Sequence, residues 1–346
     1  MGTLIVALVV GAFELQSDSP WLSGGVAAAL FPRTHLAISV NPASAGLLSG
    51  ASVSVSASRP FGFKELDRTA AAAGFTTNRF AVAGVFNYSG RNGYSEFTTT
   101  AAVAKPLIAG IVAGVSVSGH RLQIEGFGSG SAVSADAGII ARPLRGMFLS
   151  GAARGFYSSS LTSTGMGAVP GTVSAAIGVC PVTGVTVSAG ASVYQYTGSE
   201  FSAVTSVEPY PGVSLFFSLL TNPVRMNMGF SVAVSSVSMQ YGYATHPDLP
   251  GSHLVSATCG SGAFDPRPVA FGETQTHEEA PVFPVNINTA TEQQLVTVPG
   301  IGPSRASTIR HYIETYGPLQ SIDQIVDIPG IGATTFENLR SYLTVQ

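Results

Sequence analysis

Large apolar residues alternate with small or polar residues along the chain from about Ser49 to Gly262. The clearest run extends from Val224 to Ser235, where every second residue is large and apolar. A period of two is typical of a β-strand with one apolar face. Similar runs recur between turn sequences such as Tyr88–Tyr94 and Arg142–Gly146. The pattern therefore predicts an antiparallel, mainly β domain.

The alternating runs are near ten residues long. A tilted strand that crosses a bilayer needs about 9 to 11 residues, whereas strands of soluble proteins have about 5 to 6. A sheet in lipid must close on itself, because an open edge leaves backbone groups unpaired in hydrocarbon. At about 15 residues per strand and turn, the region predicts a closed transmembrane β-barrel of 14 strands, with 12 equally compatible. The alternative is a soluble β-sandwich or a secreted β-repeat protein.

Composition favours the barrel. Only 10% of the 346 residues are charged, and mean hydropathy is +0.33, so a solvated outer face of charged residues is not available. Ser, Thr and Gly interrupt every apolar run, which argues against transmembrane helices. The net charge of -3 gives no overall attraction to nucleic acid. The two cysteines, Cys180 and Cys259, lie in strand-like sequence and are interpreted as small apolar fillers.

The first residues have the features of a targeting segment. Leu4–Val10 forms a short apolar core, and a small-residue sequence follows it. Residues 1–20 are therefore predicted to be a signal or leader segment. A positively charged start is missing, which leaves an ordinary buried strand as the alternative.

The sequence between Gly24 and Leu47 carries a resemblance. Its glycine-rich start leads into Asn41-Pro42-Ala43 and then into the first alternating run, and in this it resembles outer-membrane proteins of the FadL/PorV type. The resemblance implies a 14-stranded barrel over residues 49–262 whose lumen is partly filled by a plug-like segment, residues 21–48. The chain departs from the family at Pro32–His35, where an acidic patch is usual. Transport of hydrophobic solutes is what the barrel family implies.

A change of composition marks a second domain. Residues 263–284 are rich in Pro and acidic residues and are predicted to be a linker. Residues 285–346 then show a helical period and an internal repeat at a shift of thirty residues, with Pro-Gly-Ile-Gly in each half. Three capping boxes are predicted, and their residue pairs are Thr289 with Glu292, Ser321 with Gln324, and Thr334 with Glu337. Pro303 is expected at a helix start and Gly317 just past a helix end.

This repeat resembles the paired helix-hairpin-helix domain of the competence DNA-binding protein ComEA. The resemblance implies a small all-α domain that binds double-stranded DNA without sequence preference, through backbone phosphates held on the hairpin amides. The residues expected to contact phosphate are Gly300, Ile301, Gly302, Ser304 and Arg305 in the first hairpin, and Gly330, Ile331 and Gly332 in the second.

The chain has fewer cations here than the family pattern. The family commonly has lysines after each hairpin, whereas this chain has Ser304-Arg305 and Ala333-Thr334. From Val285 onward the chain contains three arginines and five acidic residues. Because phosphate neutralisation dominates non-specific affinity, we expect weak binding, about 10⁻⁴ M or poorer at physiological salt. A compact scaffold or protein-docking module is the alternative.

No catalytic residues are recognisable, so an enzyme is not expected, and neither a metal nor another cofactor is predicted. The six histidines lack metal-ligand spacing, and no nucleophile elbow or phosphate-binding loop occurs in a suitable context.

Even-stranded outer-membrane barrels place both termini in the periplasm, so the hairpin domain is expected there. The leading hypothesis is an outer-membrane barrel with a periplasmic DNA-binding module, in contact with lipid and with a role in DNA uptake. The alternatives are a FadL-like transporter of hydrophobic solutes and a barrel whose hairpin domain docks a protein of an uptake, secretion or assembly machinery.

Overall fold

The chain forms two compact units, residues 1–272 and residues 273–346, and each has its own hydrophobic core. The predicted leader up to residue 18 and the predicted linker up to residue 283 lie outside the described residues. The computed structural model describes residues 19–77, 79–91, 93–108, 110–160, 169–260, 284–290, 294–295, 298–329, 331–340 and 342–345.

The first unit is a closed antiparallel barrel of 14 strands in simple up-and-down order. The predicted fold class is confirmed, and both the 12-stranded barrel and the sandwich are wrong. The strands are β1 (Gly50–Arg59), β2 (Arg68–Thr76), β3 (Ala81–Arg91), β4 (Tyr94–Ile108), β5 (Ile111–Ile124), β6 (Gly128–Leu144), β7 (Met147–Ser158), β8 (Thr172–Val179), β9 (Val185–Tyr194), β10 (Gly198–Tyr210), β11 (Val213–Thr221), β12 (Val224–Val234), β13 (Val237–Ala244) and β14 (Ser252–Gly260).

The barrel closes where β1 pairs with β14, from Ser52 opposite Gly260 to Arg59 opposite His253. The two ends of the barrel differ. Six turns of two to five residues lie at the end where β1 begins and β14 ends, whereas connections of up to 13 residues lie at the opposite end. Among the described residues, no helix is long and apolar enough to span a membrane.

The strands have their apolar side outward. Val55 of β1 is 54% exposed, while the neighbouring Ser54 is 1% exposed. Met226 and Met228 of β12 are likewise exposed, and Asn227 between them is buried. This arrangement reverses that of a water-soluble protein, in which the apolar face of a strand is covered.

The N-terminal segment lies inside the barrel and forms most of its core. It comprises three short 3-10 helices and α1 (Val26–Ala29), and the 3-10 helices are Leu22–Gly24, His35–Ser39 and Pro42–Leu47. Its apolar residues, including Leu30 and Ile38, are buried against alanines and other residues of the inner wall. We call residues 19–48 the plug.

Inward-facing glycines make room for the plug. A Cβ placed on Gly178 would lie 2.8 Å from the Phe31 ring, and one on Gly190 would lie 2.6 Å from Val26. The same close approach occurs at Gly74 under His35, Gly114 under Pro42, Gly138 under Asn41, and Gly242 under Pro20. Real Cβ atoms do not tolerate such distances, so the glycine content of the strands is in part a packing requirement of the plug.

Asn41 ties the plug to the barrel wall. Its side-chain oxygen accepts from the Ala43 N–H at 2.9 Å, which caps the following 3-10 helix. Its Nδ2 group donates to Ser150 Oγ at 2.9 Å and to the Gly151 carbonyl at 3.3 Å. The Asn-Pro-Ala sequence is therefore both a turn and a buried contact with β7.

The second unit is helical. It contains α2 (Pro303–Tyr316), a 3-10 helix (Ile322–Asp327) and α3 (Ala333–Leu339). The two short strands β15 (Val285–Asn286) and β16 (Leu343–Thr344) pair in parallel and join the two ends of the domain.

The internal repeat is visible in the core. Residues thirty positions apart occupy equivalent buried places, and the pairs are Leu295 with Ile325, Val298 with Ile328, Ile301 with Ile331, and Ile309 with Leu339. Their backbone hydrogen bonds repeat as well. Ala306 N–H donates to the Gly302 carbonyl at 3.0 Å, and Phe336 N–H donates to the Gly332 carbonyl at 2.9 Å.

The predicted helix boundaries have mixed outcomes. Pro303 is the first residue of α2, Gly317 ends it, and Ser321 with Gln324 forms a complete capping box. The prediction for Thr334 is wrong, because α3 begins at Ala333 with Gly332 as its N-cap. The proposed partner of Thr289, Glu292, lies outside the described residues.

Candidate nucleic-acid interface

The first hairpin exposes its two glycines at the start of α2. Gly300 has a φ of +95°, a conformation that favours glycine, and Gly302 is the N-cap of the helix. Both are exposed, and a Cβ on Gly302 would meet nothing within 4 Å. The backbone therefore leaves open space at the positive end of a 14-residue helix, which is a favourable place for an anion.

Ile301 lies between these glycines but points the other way. Its side chain is 3% exposed and belongs to the core, and its N–H donates to the Val298 carbonyl at 3.0 Å. Ile331 repeats both features, since it is 3% exposed and its N–H donates to the Ile328 carbonyl at 3.1 Å. Three consecutive hairpin amides are thus not all available to a phosphate. The isoleucines hold the turn, and the glycines face solvent.

Arg305 places a positive charge beside the first hairpin. Its side chain is exposed, and Nη1 donates to the Gly300 carbonyl at 2.8 Å. This hydrogen bond uses the carbonyl that would otherwise repel an anion and holds the guanidinium next to the glycines. The Ser304 backbone lies in the first turn of α2, while its side chain is outside the described residues.

The second hairpin has the same backbone but a different surface. Gly332 is exposed and begins α3, and a Cβ there would also meet open space. Gly330 lies outside the described residues. No arginine or lysine follows Gly332 in the first turn of α3. Arg340 is at the far end of that helix, where it lies over the Phe336 ring at 5.8 Å.

The remaining charges do not favour DNA. Arg310 is half-buried and donates to the Asn288 carbonyl at 3.3 Å, which is a contact within the domain. Asp323, Asp327 and Glu337 are exposed. Arg305 is therefore the cation best placed to contact a phosphate at a hairpin.

Asn288 was not among the predicted site residues, yet it organises the domain. Its Oδ1 accepts from the Leu319 N–H and its Nδ2 donates to the Leu319 carbonyl, both at 2.9 Å. These bonds join the start of the first half to the connection between the halves. The available signal was the opening Asn-x-Asn-Thr-Ala sequence of the domain.

Comparison with known proteins identifies the second unit. The sequence profile described as the helix-hairpin-helix motif matches residues 283–344. The C-terminal unit carries a helix-hairpin-helix motif. No curated protein sequence matches the chain.

Solved structures identify the fold of the barrel. The CymD monoaromatic hydrocarbon channel superposes with a TM-score of 0.53 at 11% identity, covering 72% of this chain and 99% of that channel. A Pseudomonas aeruginosa FadL homologue gives a TM-score of 0.53 at 10% identity with the same coverage. At such identities the similarity shows the fold, which is that of FadL-type outer-membrane channels.

Proposed function

We propose that this protein is an outer-membrane barrel that presents a periplasmic helix-hairpin-helix module, and that the module binds double-stranded DNA weakly and without sequence preference during DNA uptake. The observation that carries the proposal is the first hairpin. It combines open space at Gly302, the start of a long helix and the Arg305 guanidinium at one point of the surface. Backbone amides and a guanidinium are groups that bind phosphate oxygens without reading bases.

Two features of the barrel support the membrane and periplasmic placement. Its outer face is apolar, as lipid requires. Its short turns lie at the end where β1 begins and β14 ends, and bacterial barrels have short turns on the periplasmic side. This supports a periplasmic position for the residues that follow β14.

The filled lumen supports an anchoring role for the barrel in this proposal. The plug packs against inward-facing glycines along several strands, so the part of the lumen that it fills is not available to a duplex. DNA held by the module would be passed to other machinery rather than through this lumen.

Transport of hydrophobic solutes is less well supported. A cavity of about 530 Å³ lies at the end with the longer connections. It contains the ion pair of Arg225 with Glu200, and Tyr194 donates to the same carboxylate at 3.3 Å. A charged, hydrogen-bonded lining disfavours an apolar solute.

A protein partner is the second candidate for the hairpin module. The exposed carboxylates of Asp323, Asp327 and Glu337 favour it, because they repel DNA. The same surface is suited to a basic protein surface.

The test is the affinity of the C-terminal unit, residues 273–346, for a random-sequence duplex at low salt, measured by fluorescence anisotropy. The unit has its own core and can be studied alone. Gly302→Asp should weaken binding by about tenfold, because the new carboxylate occupies the phosphate position. The fold should be retained, since aspartate is a favoured N-cap residue.

Gly332→Asp is the matched control, because Gly332 is also the N-cap of its helix and a Cβ there also meets open space. We expect this variant to change the affinity for DNA less than twofold, which corresponds to a binding free energy change below about 0.4 kcal/mol. Equal losses in both variants would show general charge repulsion rather than a site. Absence of binding to the wild-type unit at low salt would remove DNA and leave the protein partner.

A further inference from the structure

A second cavity lies at the barrel end that has the short turns. Its volume is about 470 Å³, and its lining comes from the plug, from the β6–β7 and β8–β9 turns, and from β10 and β11. Arg33, Arg142 and Arg145 contribute three guanidinium groups, and Glu208 contributes the one carboxylate of this lining. The cavity belongs wholly to the first unit and is independent of the hairpin module.

Arg33 extends from the plug into this lining. Its guanidinium lies 4.3 Å from the centre of the Trp21 ring, and Nη2 donates to Ser206 Oγ at 3.3 Å. An aromatic face and a hydroxyl orient the group but do not neutralise its charge.

The other charges leave the cavity positive. In the described part of the chain, none of the three arginines has a carboxylate within 4 Å, because the ion pairs found there are Arg59 with Asp67 and Arg225 with Glu200. Glu208 Oε1 accepts from the Gly212 N–H at 2.8 Å and so is partly engaged by a turn. Glu208 offsets part of the charge of Arg33, so the three guanidinium groups keep a net positive charge, which favours an anion in a partly enclosed space.

We propose that this cavity binds a small anion that carries a phosphate group. Three guanidinium groups against one carboxylate match the double charge of a phosphate monoester better than the single charge of a carboxylate. Guanidinium also offers paired donors in the geometry of phosphate oxygens.

The remainder of the lining suits an organic group on that phosphate. Phe148 is 1% exposed and only supports Arg142, whose guanidinium lies 5.9 Å from the ring centre, so the apolar surface comes from other residues. Val182 and Val185 add apolar surface on the opposite turn. The volume exceeds that of inorganic phosphate, so a phosphorylated ring compound, such as a nucleoside monophosphate, fits both parts of the cavity.

Cys180 provides a reporter, because it is half-buried in the β8–β9 turn and lines the cavity. The prediction that it lies in a strand is wrong, since β8 ends at Val179. The other cysteine, Cys259, is exposed on β14. Burial raises the pKa of the Cys180 thiol, with Arg142 opposing the shift, so modification is best followed at alkaline pH.

The experiment uses the full chain with Cys259→Ala in phosphatidylcholine nanodiscs. Modification of Cys180 by a small neutral thiosulfonate is followed by mass spectrometry with adenosine 5′-monophosphate, inorganic phosphate or adenosine present. We expect saturating adenosine 5′-monophosphate to slow modification at least about threefold, because it covers the thiol, and adenosine to have no effect. Nanodiscs that contain phosphatidic acid, whose headgroup is a phosphate monoester, test a lipid as the source of the phosphate when no other ligand is added.

Arg142→Gln and Arg145→Gln should each raise the ligand concentration needed for protection about tenfold. Arg79→Gln is the control, because Arg79 is exposed in the β2–β3 turn at the same end and does not line the cavity. Comparing protection ratios removes the direct effect of Arg142 on thiol reactivity.

Protection by the two soluble phosphates supports the proposal and assigns a soluble ligand. Slow modification only with phosphatidic acid supports it and assigns a lipid headgroup. The proposal is overturned if no phosphate protects, if adenosine protects equally well, or if Arg79→Gln impairs protection as much as Arg142→Gln.

Discussion

The two hairpins of the C-terminal unit share a core but differ at the surface. In both, an isoleucine is buried and donates its N–H within the turn, and an exposed glycine begins the following helix. Only the first has an arginine in the next helical turn, with its guanidinium bound to the hairpin carbonyl. The isoleucine and the glycine, which both hairpins have, are therefore the features needed for folding. The arginine, which only the first hairpin has, is the feature needed to bind an anion.

This comparison indicates that the hairpin is first a folding element. Isoleucine at the turn joins two helices whether or not a ligand is bound. Phosphate binding then depends on a few residues that the core does not constrain. The two hairpins serve as internal controls for each other in the following predictions.

The largest expected effect concerns the shared core. Ile301→Ala and Ile331→Ala should each lower the free energy of unfolding by about 2 to 5 kcal/mol, because each removes a fully packed side chain. Urea denaturation of the C-terminal unit, followed by circular dichroism, measures the loss.

Ile→Val at both positions is the milder control, with an expected cost of about 0.5 to 1.5 kcal/mol at each. A unit of this size is marginally stable, so the valine variants are the ones that remain folded for comparison. If one hairpin tolerated its substitution without cost, the two halves would not be equivalent in the core.

The second prediction adds positive charge to the second hairpin. Lysines in place of Ala333 and Thr334 add two charges at the start of α3 and should tighten binding to duplex DNA about tenfold at low salt. The slope of log affinity against log salt concentration should become steeper, by the amount expected for about one to two additional phosphate contacts. Lysines at Thr315 and Gln320, which are exposed away from the hairpin turns, control for net charge. Equal gains in both variants would contradict a role of the hairpin itself.

The barrel was predictable because its signal is repeated many times. Each strand carries the same alternation, so an error in one run does not change the fold class. The number of strands was ambiguous, because the prediction assumed a uniform length of about 15 residues for each strand with its turn. The observed strands vary in length from 8 to 17 residues. Pairing of β1 with β14 then adds long-range contacts that no local pattern encodes.

The candidate sites were predictable only in part. The motif predicted phosphate contacts at Gly302 and Arg305, and these stay predictions. Ile301 was expected to offer its N–H to a phosphate, but that N–H closes the turn by donating to the Val298 carbonyl. The arginine cavity had no sequence signal. Arg33 and Arg142 are more than a hundred residues apart, and they meet only because the plug folds back into the closed barrel.

The third prediction tests a feature found in the second half. Ser321→Ala removes the capping box at the 3-10 helix and should lower the free energy of unfolding by about 1 kcal/mol. DNA affinity should not change, because the cap is not part of a hairpin. Thermal denaturation and anisotropy on the same sample measure both quantities. Gln320→Ala provides a neighbouring exposed control. A fall in DNA affinity without a fall in stability would contradict the interpretation of Ser321 as a capping residue outside the DNA contact.

The smallest expected effect concerns the single arginine that distinguishes the hairpins. Arg305→Ala should weaken DNA binding about threefold and reduce the salt slope by about one contact, because one phosphate is no longer neutralised. Arg340→Ala removes the same charge from α3 and should leave both quantities nearly unchanged, since that guanidinium lies over Phe336 at the far end of the helix. Arg305→Lys keeps the charge but loses the forked donor that binds the Gly300 carbonyl, so an intermediate affinity is expected. Equal losses for Arg305→Ala and Arg340→Ala would mean that net charge, rather than the first hairpin, determines the affinity.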